Sequence, residues 1–359
     1  MRELRRRGVP ARVVTVGLGV DDGRAGFDVP FHTLATWGEV GDLDDTVVFV
    51  SEAPPVTTRH PAYQVLHVPP PGMTDEQSAL RVATSTRTLI ATSRYAAGLW
   101  AEFLDVDVQI IHVVRPFAEP VFARTARPAT VGRRVLYAGR LAPEKGIYTL
   151  LSMLHHELLL AEPALHVTVT RAGADKIQGA IIEQVVAAHP GVHLVAARTT
   201  PASMAQLMVE HDVVVMPSNS QYWHETFGIV SLEAQHAGCR VVASDDGGLP
   251  ETDCGALDLV EPDNARALAH GVLAALDRGP VDAAVRADSA LLFTVAQSVD
   301  EMLDALDAPV LVAPAAVISH LEELVALPSA DLAGSSGGAP RSRSRSRDSD
   351  LSPGRPAAH

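Results

Sequence analysis

The chain predicts an α/β protein of two doubly wound, Rossmann-like domains with mostly parallel sheets, and three observations lead there. Short apolar runs without alternation recur along the 359 residues, with helical patterns between many of them. Strands buried on both faces and joined through helices pair in parallel. The pattern starts twice, near residue 12 and again at residue 134, across a stretch around Pro128 of little apolar content that reads as a linker. A hydrophobic fraction of 47% over this length supplies two separate cores.

In the first half, Arg2 to Arg7 reads as the end of a helix closed by Gly8, with Arg5, Arg6 and Arg7 suited to the negative end of its dipole. Strands are expected at 12–16, 47–50, 65–68, 88–91 and 108–112, and helices at 75–86 and 95–104. In a doubly wound sheet the ligand crevice lies beyond the strand C-termini. His67 stands at such an end, before Pro69-Pro70-Pro71. A hydrogen-bonded core histidine is an equal reading of it.

Charge and composition exclude several classes. The net charge of −14 disfavours nucleic acid, which needs clustered cations. No run reaches the roughly 18 apolar residues of a membrane span, and the start has no signal-peptide core. A cytoplasmic location without stable membrane association is the expectation. Cys239 and Cys254 have no metal-ligand spacing, so no metal site is predicted.

The second half opens with the strand 134–138, which ends in Gly139-Arg140-Leu141-Ala142-Pro143-Glu144-Lys145-Gly146 and enters a helix at Ile147. Glycines at both ends let the backbone turn tightly, and Arg140 and Lys145 place two cations at a strand C-terminus. An arginine fork and a mobile ammonium make a diphosphate clamp. Solvated loop charges are the other reading of the same two residues. Strands at 166–170 and 192–195 and helices at 177–188 and 201–210 follow.

The run Val213-Val214-Val215-Met216, stopped by Pro217, reads as a buried strand. A polar loop leads from it to a helix over 227–237 closed by Gly238. Glu225 precedes the first turn and Glu233 lies eight positions later, inside the helix. With Gly228 leaving first-turn amides uncovered, the helix N-terminus offers donors and a positive dipole end to an anion. Carboxylates beside an anion site make sense as acceptors of sugar hydroxyls. A strand at 240–243 then ends at Gly247-Gly248-Leu249-Pro250-Glu251, glycines that permit close backbone approach to a ligand or simply form a tight turn.

Glu225 through Glu233 resembles the two-glutamate motif of the family-4 retaining glycosyltransferases, which have the GT-B fold of two facing Rossmann-like domains. Gly139-Arg140-Leu141 with Glu144-Lys145-Gly146 resembles that family's earlier signature, in the expected order. The resemblance implies that Glu225 holds hydroxyls of the transferred sugar, that Glu233 binds the nucleotide ribose and that His67 faces the donor sugar. It also implies that Arg140 and Lys145, with the amides near Thr226, Phe227 and Gly228, neutralise the departing diphosphate, and that Gly139 and Gly248 line the cleft. Where the family carries glycines, Thr170-Arg171-Ala172-Gly173 and Ala196-Ala197-Arg198 stand here, so the base contacts are open.

The domains implied are 1–125 on the acceptor side, a linker over 126–133, a nucleotide-sugar-binding domain over 134–292 and a closing helix over 293–306. An extension with an Arg/Ser tail, 307–359, lies beyond the resemblance. The expected activity is retaining transfer of a sugar from a nucleotide diphosphosugar, with a uridine diphosphate sugar as co-substrate, to a hydroxyl of a small acceptor, with no cofactor and no obligatory metal. Glu233-Ala234-Gln235-His236-Ala237-Gly238-Cys239 resembles, more weakly, enzymes that glycosylate aminocyclitol (aminoglycoside) antibiotics, which fits the acidic balance. A nucleotide-sugar epimerase of the same architecture and a non-catalytic nucleotide-sugar-binding protein are the alternatives. The first domain begins in what reads as the helix before a second strand, so a strand-turn-helix unit upstream is a further expectation.

Overall fold

The computed structural model describes residues 1–17, 29–50, 52–71, 80–81, 83–128, 132–162, 165–174, 176–221 and 223–309. The Arg/Ser tail and half of the helix expected over 75–86 lie outside the described residues; residues 80, 81, 83 and 84 are helical.

Helix α1 (Arg2–Arg6) leads through Gly8 into β1 (Val13–Val16), which pairs in parallel with β2 (Phe31–Leu34). Four parallel strands follow in the order β3 (Val47–Val50), β4 (Ala62–Leu66), β5 (Thr88–Ala91) and β6 (Ile111–Val113), with α2 (Arg94–Leu104) between the last two. Among the described residues the two sheets are not hydrogen-bonded to each other. Apolar packing joins them, with Leu34, Phe49 and Ala62 in one cluster against Val14 and Val16.

Two expected strands move. β4 starts three residues early, because Gln64 is buried in it and accepts from the Arg87 guanidinium at 2.8 Å, so a polar residue interrupts the apolar run. Residues Val108–Ile110 form a 3-10 turn rather than strand, capped by Asp107, whose carboxylate accepts from the Gln109 amide. β2 answers to no predicted strand.

Helix α3 (Pro120–Arg124) precedes the second domain. Its elements are β7 (Arg134–Tyr137), α4 (Ile147–Leu154), α5 (Glu157–Leu160), β8 (His166–Thr170), α6 (Ile177–Ala187), β9 (Val192–Val195), α7 (Pro201–Met208), β10 (Val213–Met216), α8 (Ile229–His236), β11 (Arg240–Ser244), β12 (Leu257–Val260), α9 (Ala265–Asp277) and α10 (Ala283–Ser289). The six strands are all parallel, in the order β12-β11-β10-β7-β8-β9. That is the doubly wound order 3-2-1-4-5-6 read from its far edge, and its direction reverses between β7 and β10. Val213 and Val215 enter the core on one side of the sheet and Val214 the core on the other, which is why this strand shows no polar alternation.

Helix α11 (Val295–Asp307) returns to the first domain. Its Ala305, Met302 and Leu306 pack on Tyr63, Ile90 and Val114, and the Tyr63 phenol donates to the Leu306 carbonyl at 2.7 Å. Arg115 pairs with Glu301 and Arg7 with Asp300 along the same seam.

Candidate active site

The reversal point of the six-stranded sheet puts the loops after β7 and β10 side by side at the strand C-termini, where a doubly wound domain holds its ligand. The β7 loop is fixed from beneath by Tyr137, a fully buried phenol whose hydroxyl donates to the carbonyls of Arg140 (2.8 Å) and Lys145 (3.1 Å). Burial pushes that phenol's pKa upward. The Leu141 amide donates to the Ala172 carbonyl at 2.7 Å, tying the loop to the turn after β8. Gly146 ends it in the left-handed region, φ 68, and a Cβ there would lie 1.6 Å from the Pro217 carbonyl oxygen. Only glycine lets the two loops approach this closely.

The β10 loop brings Ser218, Glu225, Thr226, Phe227 and Gly228 to the same place. Lys145 Nζ lies 2.5 Å from Glu225 Oε2, and the Ser218 hydroxyl donates to that oxygen at 3.3 Å. Arg140 is half-exposed and pairs with Glu144 at 3.0 Å. Gly228, φ 100, is the N-cap of α8, and the ring of buried Phe227 meets that of Phe293 edge-on at 5.8 Å. Beneath the loop the Gly248 amide donates to the Glu225 carbonyl at 2.7 Å, and Cβ atoms at Gly247 and Gly248 would lie 2.2 Å from the carbonyl oxygens of Glu225 and Thr226.

These parts enclose a cavity of about 370 Å³ between the domains. Gly139, Arg140, Lys145, Glu225, Thr226, Phe227, Gly228 and His67 all line it. The Thr226 hydroxyl donates to the His67 carbonyl at 2.7 Å, so that side chain latches the two domains together. Two residues expected at the ligand are not in the lining of this cavity. Gly248 does not line the cavity and supports the Glu225 loop from behind, while Glu233 sits one turn further into α8, outside the lining. Burial, with the Glu119 carboxylate close by, pushes the Glu233 carboxyl up to about 7.

Sequence reasoning missed Thr92, Pro116 and Ser218, which also line the cavity. Thr92 Oγ1 and His67 Nδ1 are buried with no hydrogen-bond partner among the described residues. Also missed is the His224 ring, whose Nδ1 lies 2.8 Å from Asp246 Oδ1 at the domain seam, 6.0 Å centroid to centroid from Tyr95. The His224 contacts have no local signature, since Asp246 and Tyr95 are both distant from it in the chain.

Of the two open loops, the Arg171 guanidinium is engaged by Glu183 at 2.5 Å and Gly173 packs on Arg140. Burial pushes Cys239 up to about 11 and Cys254 to about 12, so neither thiol ionises near neutral pH. Among the described residues no three His, Cys, Asp or Glu side chains converge on one point, and no helix is long and apolar enough to cross a membrane.

Residues 132–278 match the family model described as "Glycosyl transferases group 1". Among characterised proteins, the chain is 31% identical over 183 residues to a D-inositol 3-phosphate glycosyltransferase of Segniliparus rotundus, covering 47% of this chain and 39% of that protein. It is 26% identical over 193 residues to an alpha-maltose-1-phosphate synthase of Mycobacterium tuberculosis, covering 49% and 47%. The matched stretch thus spans less than half the length of these relatives. Among solved structures, a glycosyltransferase from Rickettsia africae superposes with a TM-score of 0.70 at 15% identity, over 86% of this chain and 93% of that one. Anabaena Alr3699/HepE, solved with UDP and glucose, gives 0.57 at 20% identity over 70% and 72%. The fold of two Rossmann-like units is that of the GT-B glycosyltransferases.

Proposed function

We propose that this chain, whose residues 132–278 form a group 1 glycosyl transferase domain on a GT-B frame, moves a sugar from a nucleotide diphosphosugar to an acceptor hydroxyl with retention of configuration. One observation carries the reading: Arg140, Lys145, Glu225 and the N-terminus of α8 converge on one cavity, closed from the other domain by His67 and Thr92. The cations and helix amides suit a diphosphate, whose charge grows as the anomeric C–O bond breaks, so they bind the transition state better than the ground state. The acceptor oxygen attacks from the face the phosphate leaves, and its proton passes to the departing phosphate oxygen.

The Lys145–Glu225 pair bears on the order of events. An ammonium has three donors, so Lys145 meets a phosphate oxygen while still holding Glu225, and Glu225 keeps lone pairs for sugar hydroxyls. Charge developing on the leaving group is thereby met without leaving Glu225 unpaired beside it. Glu233, in its ionised form, is assigned to the ribose hydroxyls.

For the donor, a uridine diphosphate sugar is proposed. For the acceptor, the described residues that the first domain gives to the cavity, His67, Thr92 and Pro116, include no lysine or arginine. With the net charge of −14 this supports a neutral or cationic polyol, aminocyclitols included, over a phosphorylated acceptor. The test is a mass-spectrometric screen of nucleotide sugars against aminocyclitols, inositol and inositol phosphate, with free nucleotide as the readout. Release of nucleotide that requires an acceptor and yields a glycosylated product of the same anomeric configuration is expected. Conversion of the donor without any acceptor would replace this reading with an epimerase.

A further inference from the structure

The loop after β11 holds the Glu225 segment from below, and three residues beyond Gly248 it reaches across the seam between the domains. Glu251, in the 3-10 turn Leu249–Thr252, points a carboxylate that is 21% exposed at the start of α2. Its Oε2 accepts from the Arg94 amide at 3.0 Å and its Oε1 from the Tyr95 amide at 2.7 Å. A helix leaves its first amides without partners inside the helix. In α2 the Ala96 amide is taken by the N-cap Ser93 hydroxyl at 2.9 Å. The two before it depend on the opposite domain. A carboxylate at the positive end of the helix dipole, accepting two backbone donors, is a charge-assisted contact of the stronger kind.

The same short stretch is gripped from its other side. Ser93 Oγ donates to the Thr226 carbonyl at 2.6 Å and Thr226 Oγ1 donates to the His67 carbonyl, both across the seam. Residues 225 and 226 therefore lie between a glycine cradle attached to Glu251 and two contacts to the first domain. Parting the domains breaks the Glu251, Ser93 and Thr226 contacts together and returns two α2 amides and a carboxylate to water.

We propose that Glu251 is a positioning residue for the sugar transfer inferred above, on which reading this rests: by capping α2 it makes the register of Glu225 depend on docking of the acceptor-side domain. Glu225 meets the donor sugar correctly only in the docked state. Nucleotide binding, which uses groups of the second domain, does not need the grip.

The test uses the full chain with Glu251→Gln and Glu251→Ala. Glu251→Ala should lower kcat about tenfold to a hundredfold, and Glu251→Gln, which keeps one neutral acceptor oxygen, by less. In both, hydrogen exchange at the first turn of α2 should speed up, while UDP affinity by calorimetry stays within about twofold of the native protein. An unchanged kcat in Glu251→Ala with faster exchange would overturn the proposal, since the grip would then be uncoupled from transfer. UDP affinity falling in step with kcat would also overturn it, placing Glu251 in the folding of the donor site. A native chain that turns over no nucleotide sugar would overturn the glycosyltransferase reading, and this proposal with it; that failure is recognised in the native protein, whereas failure of the Glu251 role appears only in the variants.

Discussion

The two walls of the cavity are built by different means. On the second-domain side the backbone itself is the constraint: Gly146, Gly247 and Gly248 stand where a Cβ would overlap a carbonyl oxygen at 1.6, 2.2 and 2.2 Å. On the first-domain side, His67 and Ser93 are held through contacts to the other domain, and among the described residues nothing lies within 4 Å of where a Cβ on Gly17, after β1 at φ 72, would be. The donor wall thus carries most of its geometry in its own loops, with the register of Glu225 left to docking. The opposite wall acquires part of its geometry by docking.

The contrast can be broken with one substitution on each side. Gly146→Ala must push Pro217 away, and we expect it to cost roughly 3–5 kcal/mol and to remove UDP binding. Gly17→Ala meets, among the described residues, only the left-handed backbone penalty, about 1–2 kcal/mol, and should leave UDP binding intact. Chemical denaturation of both variants measures the difference. Equal losses would mean that close packing at the β7 and β10 loops is not what fixes the donor wall.

The same contrast governs how much the sequence discloses. The strand at 213–216 is read to the residue, because Val213, Val214 and Val215 are buried on both faces and no polar position dilutes the run. β2, Phe31-His32-Thr33-Leu34, and β12, Leu257-Asp258-Leu259-Val260, carry a polar or charged residue within four positions and are mostly half-buried, too short for a period to register. In the site, Arg140, Lys145, Glu225 and Gly228 are legible because each belongs to a loop whose spacing is local. Glu251 and the amides it caps are 156 and 157 positions apart, and no local pattern announces such a contact. Thr226 lies between these cases: its place at the cavity is legible, and the use of its hydroxyl as a latch is not.

Glu233, one turn into α8, adds a pH dependence to the second-domain side, because burial brings its carboxyl into the neutral range. Its pKa rises from 4.5 to about 7 in the folded chain. As pH climbs from about 4.5, the unfolded chain loses this proton first, so its contribution to stability is complete below that point, falls through about 7 and is flat above. The full span is about 3 kcal/mol or less. Glu233→Gln should flatten the decline in Tm between pH 5 and about pH 8. Ribose hydroxyls donating to the ionised carboxylate favour that form, so below about pH 7 UDP binding should release a proton, visible as a buffer-dependent calorimetric enthalpy. Glu233→Gln should abolish the release; a release that persists would assign the proton to another group.

On the proposed function, the cavity between the β7 and β10 loops recognises a diphosphate. Calorimetric titration of UDP and of uridine into the native chain, Arg140→Ala and Lys145→Ala tests it most directly. One UDP per chain is expected, with uridine at least about tenfold weaker and a gap that shrinks about tenfold in each variant, the scale of one charge-assisted hydrogen bond. Equal affinities for UDP and uridine in the native chain, or a gap left intact by both substitutions, would contradict it.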